Sequence, residues 1–152
     1  MQDHRKLRVW QHAHDLALAI RRASRRFPRS GYASLQSQIT PAAESVVFII
    51  AEGCGATSQR EFARFLDISI KSTHELESQL ARARDYGALG ASTWIEVSKL
   101  VIDVRRMLCG LRSKVLSSAV ARKPTMVASE SRPALNTSVP ARTSRKNRGH
   151  AE

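Results

Sequence analysis

At 152 residues, of which 42% are hydrophobic, the chain can bury the core of one domain, while its two cysteines are too few for a disulfide-stabilised secreted scaffold. The first residues lack the apolar segment of a signal peptide, and no uncharged apolar run approaches the roughly 20 residues that cross a bilayer, so we expect a soluble, cytoplasmic protein without membrane contact. The net charge of +12 favours a polyanionic partner, which is RNA, DNA or an acidic protein.

A first helix is predicted from about Leu7 to Phe27, because small and apolar residues recur there at spacings of three and four, and Pro28 then stops it. Cations near a helix C-terminus suit its dipole, but five arginines within nine residues exceed that need. Four of them also lie at helical spacing, which would concentrate their charge on one patch. Such a cluster is either an ordinary solvated face or a nucleic-acid contact, and the sequence leaves both open. The five are Arg21, Arg22, Arg25, Arg26 and Arg29.

The second helix is harder to predict. An apolar helical face extends from Leu35 to Ile50, yet residues 46–51 are continuously apolar and rich in β-branched side chains, which also suits a buried strand. We favour a helix, because the face is established before the apolar run begins and glycines follow it. Pro41 leaves two possible starts. Either Thr40 caps a helix whose first residue is the proline, or the helix begins near Ser34 and kinks at Pro41, which we favour.

A glycine-rich turn is predicted to follow. We expect Gly53 or Gly55 to adopt a positive φ at the end of the second helix. Glu52 comes directly after the apolar run, so it should be partly buried and paired with a partner that holds the turn, with a role in recognition or catalysis as the alternative. Ser58 and Glu61 have the spacing of a capping box and predict the start of the third helix.

The third helix is predicted to end around Tyr86, and a fourth to begin at Thr93 as its cap. The fourth helix carries a coiled-coil-like seam. A second apolar row beside that seam contains Ile95, Ile102 and Cys109, and it makes the apolar arc wider than one bundle needs. We therefore expect this row to contact another copy of the chain, rather than to be deeply buried in a monomer. The seam comprises Trp94, Val97, Val101, Val104, Leu108, Leu111 and Val115.

Beyond about Ser118 the helical pattern stops. We therefore divide the chain into a four-helix bundle at residues 7–118 and a disordered basic tail at residues 119–152, which is too polar to bury a core. Residues 120–152 contain seven Lys or Arg and two Asp or Glu, a net charge of +5, and the remaining residues carry +7. The tail residues predicted to contact nucleic acid are Arg142, Arg145, Lys146 and Arg148.

The sequence contains no pattern that indicates catalysis. No histidine has a carboxylate at the spacing used in helical di-iron bundles, and there is no phosphate-binding loop or dinucleotide fingerprint. No serine or cysteine has an evident base partner, and Cys54 and Cys109 are both expected to be small buried hydrophobes. We therefore predict no catalytic residue, no metal site and no cofactor, and we expect that the protein is not an enzyme.

Several short motifs occur in order between residues 7 and 115: Val9-Trp10-Gln11, Phe27-Pro28, Ser37-Gln38-Ile39, Ala51-Glu52-Gly53, Glu61-Phe62-x-Arg64-Phe65-Leu66 and Glu75-Leu76-Glu77-x-Gln79-Leu80. Together they resemble the small proteins encoded by intervening sequences in bacterial 23S ribosomal RNA genes. That resemblance implies an all-α, antiparallel up-and-down four-helix bundle, a homopentamer with a central opening, and no enzymatic activity. More distant relatives are accessory proteins of diversity-generating retroelements, which bind reverse transcriptase and RNA.

The chain departs from this family in its second helix. Thr40-Pro41 stand where two arginines are usual, and Val47, Phe48 and Ile49 stand where a proline and small polar residues are usual. A basic site is therefore lost there, and we expect nucleic-acid contacts to shift to the first helix and the tail.

The low aromatic content, 5%, bears on the mode of binding. We expect the few aromatic side chains to lie on core faces, which argues against base stacking and for phosphate contacts of little sequence preference. The predicted function is that of a non-catalytic homo-oligomer, most simply a pentamer, that binds RNA or DNA. The alternative is a structural or adaptor protein that binds another, unidentified protein.

Overall fold

The computed structural model describes residues 3–121. A short 3-10 helix (His4–Lys6) precedes four α-helices, and within the described residues there is no strand. The predicted disordered tail lies outside the described residues from position 122 onward, and the fourth helix continues three residues past its predicted end. The helices are α1 (Arg8–Ser24), α2 (Ala33–Gly53), α3 (Gln59–Asp85) and α4 (Ala91–Ala121).

The four helices form a cycle in which each packs against two neighbours: α1 with α2, α2 with α3, α3 with α4, and α4 with α1. Between α2 and α3, residue numbers rise along one helix as they fall along the other, since Gly53 lies against Phe65 and Ser45 lies 3.2 Å from Ser72. The pairs between α3 and α4 follow the same inverse order: Glu77 with Arg105, and Asp67 with Arg112. The predicted all-α four-helix bundle is therefore confirmed, and these contacts fit the predicted antiparallel arrangement.

The core lies along the axis of this cycle and is built from the predicted helical faces. The seam of α4 is confirmed, because five of its residues are buried and the other two, Trp94 and Leu111, pack against the core while half-buried. Burial of these apolar surfaces away from water is the main stabilising term of such a bundle. The largest fully buried side chains include Leu16, Ile20, Ile39, Ile50, Leu66, Leu76, Leu80 and Leu108.

Two ambiguities of the sequence are settled by the helix bounds. The apolar run at residues 46–51 is helical, and α2 begins at Ala33 with Pro41 in its interior, as in the favoured interpretation. The predicted cap of α4 is wrong. The helix begins at Ala91, and the backbone N–H of Trp94 already donates to the carbonyl of Gly90 at 2.9 Å, so Thr93 lies inside the first turn.

The α2–α3 turn, residues 53–58, is held by caps and by close packing. The Ser58 hydroxyl accepts a hydrogen bond from the backbone N–H of Glu61 at 3.1 Å, which confirms the predicted cap. In a standard capping box, the Glu side chain accepts a hydrogen bond from the backbone N–H of the capping residue itself. Here the Glu61 carboxylate instead accepts from the backbone N–H and the hydroxyl of Thr57, both at 2.8 Å. These bonds hold the pKa of Glu61 below its usual range.

Three predictions about this turn need correction. Neither Gly53 nor Gly55 has a positive φ, and the glycines in the described residues that do are Gly31 (88°) and Gly87 (74°). A Cβ at Gly53 would lie 2.8 Å from the Cβ of Phe65, so this glycine allows α2 and α3 to approach closely. Glu52 is exposed and makes no side-chain hydrogen bond or ion pair within residues 3–121, because it lies on the solvent side of α2.

Candidate nucleic-acid interface

The five arginines near the end of α1 all lie exposed to solvent. Arg21 and Arg22 belong to the last turn of the helix, whereas Arg25 is its C-cap residue and Arg26 and Arg29 follow it. The helical spacing predicted for four of them does not persist, because α1 ends at Ser24. The single helical stripe predicted for them is therefore limited to the residues up to the C-cap, Arg25.

The backbone that carries these arginines is anchored to α2. The Ser24 carbonyl accepts a hydrogen bond from the Gln36 side chain at 3.0 Å, and the Ser24 hydroxyl lies 3.3 Å from that of Thr40. Phe27, which separates Arg26 from Arg29, is buried in the core. A backbone that is already fixed loses less conformational entropy when its side chains bind a ligand.

The five arginines also lack internal partners. None of them forms an ion pair with any residue in the described part of the chain. Other arginines are used structurally: Arg105 pairs with Glu77 at 2.5 Å, which holds the pKa of that carboxyl below its usual range. Within the described residues, no ion pair therefore balances the charge of these five arginines.

The fold brings residues from α3 and α4 to the same end. The hydroxyl of Tyr32, at the start of α2, donates to the backbone carbonyl of Tyr86 at 2.7 Å. The Arg82 guanidinium lies 5.6 Å from the centre of the Tyr86 ring, and the Arg84 guanidinium lies 4.5 Å from the centre of the Trp94 ring. We call this region the arginine end, and it comprises Arg21, Arg22, Arg25, Arg26, Arg29, Tyr32, Arg82, Arg84, Tyr86 and Trp94.

The expectation that the aromatic side chains lie on core faces is wrong in two places. Tyr86 is 56% exposed and Phe48 is 61% exposed. Sequence reasoning also missed Arg82 and Arg84 as members of the basic end. The signal was present, because in an up-and-down bundle the C-termini of the first and third helices lie at the same end, and Gly87 marks where the third helix stops.

The predicted oligomer contact is partly accessible. Ile95 is 62% exposed, Ile102 is half-buried and Cys109 is exposed. The expectation that both cysteines are buried therefore holds for Cys54 alone, and burial raises the pKa of the Cys54 thiol. The row lies on the α3 side of α4, since the next turn after Ile102 carries Arg105, which pairs with α3. It is an apolar strip along the outer α3–α4 face.

A second apolar surface lies on the α1–α2 face, which is opposite the α3–α4 face in the helix cycle. Leu18 and Phe48 are both exposed there, and they line a cavity of about 170 Å³ together with Glu44 and Arg21. The two surfaces therefore differ in position and composition.

Other predicted sites are either untested or without a structural counterpart. Arg142, Arg145, Lys146 and Arg148 lie outside the described residues. Among residues 3–121, no group of three or more His, Cys, Asp or Glu side chains is arranged to hold a metal ion. No helix in that part of the chain has both the length and the apolar character needed to span a bilayer.

These features define a helical-bundle protein with a basic end. Residues 5–110 match the family model described as 23S rRNA-intervening sequence protein. This match covers more than half of the chain, and the protein belongs to that family, as the sequence motifs indicated. A comparison with curated proteins gave no match.

Proposed function

We propose that the protein is a non-catalytic, cytoplasmic homo-oligomer that binds RNA or DNA through phosphate contacts at the arginine end. The observation that carries the proposal is the group of five exposed arginines that form no ion pair within the described residues. Arginine's planar guanidinium donates two parallel hydrogen bonds to a phosphate, which makes it a preferred residue for such contacts.

The surroundings of the arginines support phosphate binding. The first turn of α2 contains no acidic residue, and no side chain caps it. Its N-terminus therefore adds a favourable potential for anions beside Arg29. Asp85 is the nearby carboxylate on α3, and Arg84 neutralises it at 2.7 Å. The balance of charge at this end favours a polyanion.

Self-association is supported by the two apolar surfaces. An odd-numbered ring requires a heterologous interface, in which two different surfaces of one chain fit each other on neighbouring copies. The strip of Ile95, Ile102 and Cys109 and the surface around Leu18 and Phe48 provide two such surfaces on opposite faces. A pentamer, the assembly that the family resemblance implies, would repeat the arginine end five times, and multivalent attachment can raise avidity by about 10²–10⁴.

A salt titration tests nucleic-acid binding. Fluorescence anisotropy of labelled RNA and DNA is measured against the full-length protein from about 50 to 200 mM salt. Because each neutralised phosphate releases counterions, the logarithm of the affinity should fall linearly with the logarithm of the salt concentration. Different sequences of equal length should bind with similar affinity. No binding to any probe at the lowest salt would defeat the proposal.

Light scattering coupled to gel filtration tests the assembly, since a single species of 16.9 kDa at micromolar concentration would contradict it. Ile102→Glu should give soluble, smaller species, because Ile102 lies in the outer strip. Val104→Glu is the control, and it should unfold the bundle, because Val104 is 2% exposed and a buried carboxylate there would have no partner.

The alternative function is that of an adaptor that binds another protein. The exposed Phe48 favours it, since aromatic side chains on a surface are typical anchors of protein interfaces. A stable monomer whose Phe48→Ser variant loses a protein partner, together with an absence of nucleic-acid binding, would support the adaptor and not the oligomer.

A further inference from the structure

Tyr86 is the C-cap residue of α3, and its ring is exposed although its backbone is rigidly held. Its N–H donates to the carbonyl of Arg82 at 2.9 Å, and its own carbonyl accepts the hydroxyl of Tyr32 at 2.7 Å. The positive φ of Gly87 then turns the chain, and the N–H of Ala88 closes the helix on the carbonyl of Ala83 at 2.9 Å. The ring therefore faces solvent from a fixed position.

The other two aromatic rings at this end are engaged differently. Trp94 is half-buried and lies under the Arg84 guanidinium, which Asp85 also holds. Tyr32 is half-buried, and its hydroxyl is used in the bond to α3. Tyr86 is thus the most exposed of the three aromatic rings at this end. A single exposed aromatic is common on proteins, so its setting among cations is what indicates a ligand.

The arginines lie within reach of this ring. Arg29 precedes Tyr32 by three residues, so their Cα atoms are at most about 11 Å apart, and Tyr32 contacts Tyr86 directly. The Arg82 guanidinium lies over one face of the Tyr86 ring, 5.6 Å from its centre, so a base would stack on the other face. An anion held by Arg29 and Arg82 would therefore lie next to an aromatic surface. A ligand that carries both phosphates and flat rings matches both features.

Single-stranded nucleic acid has this chemistry, whereas a duplex does not offer it. In a duplex, the faces of the bases are covered by their neighbours, but unpaired bases can stack on a protein aromatic ring. Resting on the proposed function, we infer that the arginine end binds single-stranded RNA or DNA by stacking an unpaired base on Tyr86 while the arginines hold the adjacent phosphates. Every base has a flat face, so this contact selects single strands without reading sequence.

The test compares three probes with the full-length protein at fixed salt: a labelled single strand, an abasic strand of the same length, and the matching duplex. The unmodified protein should bind the single strand more tightly than the abasic strand. Tyr86→Ala should weaken binding to the single strand by about 5- to 150-fold and leave binding to the abasic strand unchanged. Its salt slope should match that of the parent, because the ring carries no charge.

Matched variants separate stacking from folding. Tyr86→Phe should retain the preference for the single strand, whereas Tyr86→Leu, which keeps apolar bulk without an aromatic face, should lose it. Equal affinity of the unmodified protein for base-bearing and abasic strands would overturn this inference and leave the proposed function standing. The same conclusion would follow if Tyr86→Leu bound the single strand as tightly as the unmodified protein does. Absence of binding to all three probes at low salt would overturn both.

Discussion

At the α2–α3 turn the polar groups that cap α3 are hydrogen-bonded to one another, whereas at the arginine end the five arginines near the end of α1 are exposed to solvent. The turn satisfies its helix start with Ser58, Glu61 and Thr57, and its glycine lets two helices approach closely. The arginine end is also held by internal bonds, but those bonds fix the backbone, and the five arginines near the end of α1 form no ion pair within the described residues. The first region stabilises the fold, and the second displays charge.

This difference shows that a motif by which a family is recognised need not lie at the functional site. Ala51-Glu52-Gly53 is one of the motifs that together carry the family resemblance, yet Glu52 is exposed and without a partner in residues 3–121, and Gly53 serves packing. The candidate site lies at the other end of the bundle. α4 spans about 46 Å between the two ends, at 1.5 Å per residue over its 31 residues. Substitutions at one end should therefore act independently of the other.

Charge reversal at the arginine end should give the largest effect. Arg25→Glu combined with Arg26→Glu removes two phosphate contacts and adds repulsion, so nucleic-acid affinity should fall on the order of 100-fold. The salt slope should decrease by about one per arginine. The melting temperature should fall only slightly, because neither side chain has an ion-pair partner in the described residues and the new carboxylates only oppose the dipole of α1.

The matched control places the same change in charge beside the turn. Arg60 and Arg64 are also exposed and belong to the first turns of α3. Anisotropy titrations of Arg60→Glu combined with Arg64→Glu should show the smaller loss of affinity. Equal losses in the two double variants would mean that net charge, and not the arginine end, governs binding.

Gly53→Ala should lower stability without affecting nucleic-acid binding. The added Cβ would meet Phe65 at 2.8 Å and the Phe62 ring at 3.0 Å. Overpacking of this kind costs about 1–3 kcal/mol, which exceeds the gain of about 1 kcal/mol from removing a helical glycine. Chemical denaturation should therefore show a net loss in the free energy of unfolding.

Gly110→Ala is the control for that experiment. Gly110 lies inside α4, and a Cβ there would meet no atom within 4 Å. This variant should gain about 0.5–1 kcal/mol from helix propensity alone. If Gly53→Ala were more stable than the parent, α2 and α3 could move apart at no cost in free energy. That result would contradict the close packing of Gly53 against Phe65.

Removal of the α3 cap should have an intermediate effect. Ser58→Ala leaves the backbone N–H of Glu61 without its acceptor, and the expected loss in the free energy of unfolding is about 0.5–2 kcal/mol.

The Glu61 carboxylate adds a pH dependence to this cap. Its pKa is lowered by the hydrogen bonds from Thr57, so the folded state favours the charged form. The stabilisation is therefore complete above the ordinary value of 4.5 and is lost as the pH falls through the lower folded pKa. Thermal melts below pH 4.5 should show a smaller further loss for Glu61→Gln than for the parent. Parallel pH profiles would argue against the role of this carboxylate.

Glu52→Ala should have the smallest effect. An exposed side chain without a partner in the described residues contributes within about ±0.5 kcal/mol, so the variant should melt like the parent. Glu77→Ala is the comparison, and it should lower stability more, because it leaves the half-buried Arg105 without its carboxylate. If Glu52→Ala lost nucleic-acid binding while its melting temperature stayed unchanged, the turn would instead be a recognition site.

The local patterns of the sequence determined the number of helices, the core faces and the α3 cap. Periodicity fixes which side of a helix is buried, as the seam from Trp94 to Val115 demonstrates, and a capping serine acts over only three residues. The cluster of arginines was equally visible, because it is contiguous in the chain. These features depend on neighbours within one or two helical turns.

Tertiary structure alone decided the features that depend on distant neighbours. Glu52 was expected to be partly buried, but the orientation of α2 in the bundle leaves it exposed. Gly53 was expected to supply a positive φ, but its role depends on Phe65 of the next helix. Tyr86 joined the arginine end through a bond to Tyr32, 54 positions away. Contacts of this kind are set by how whole helices pack, so no local pattern in the sequence predicts them.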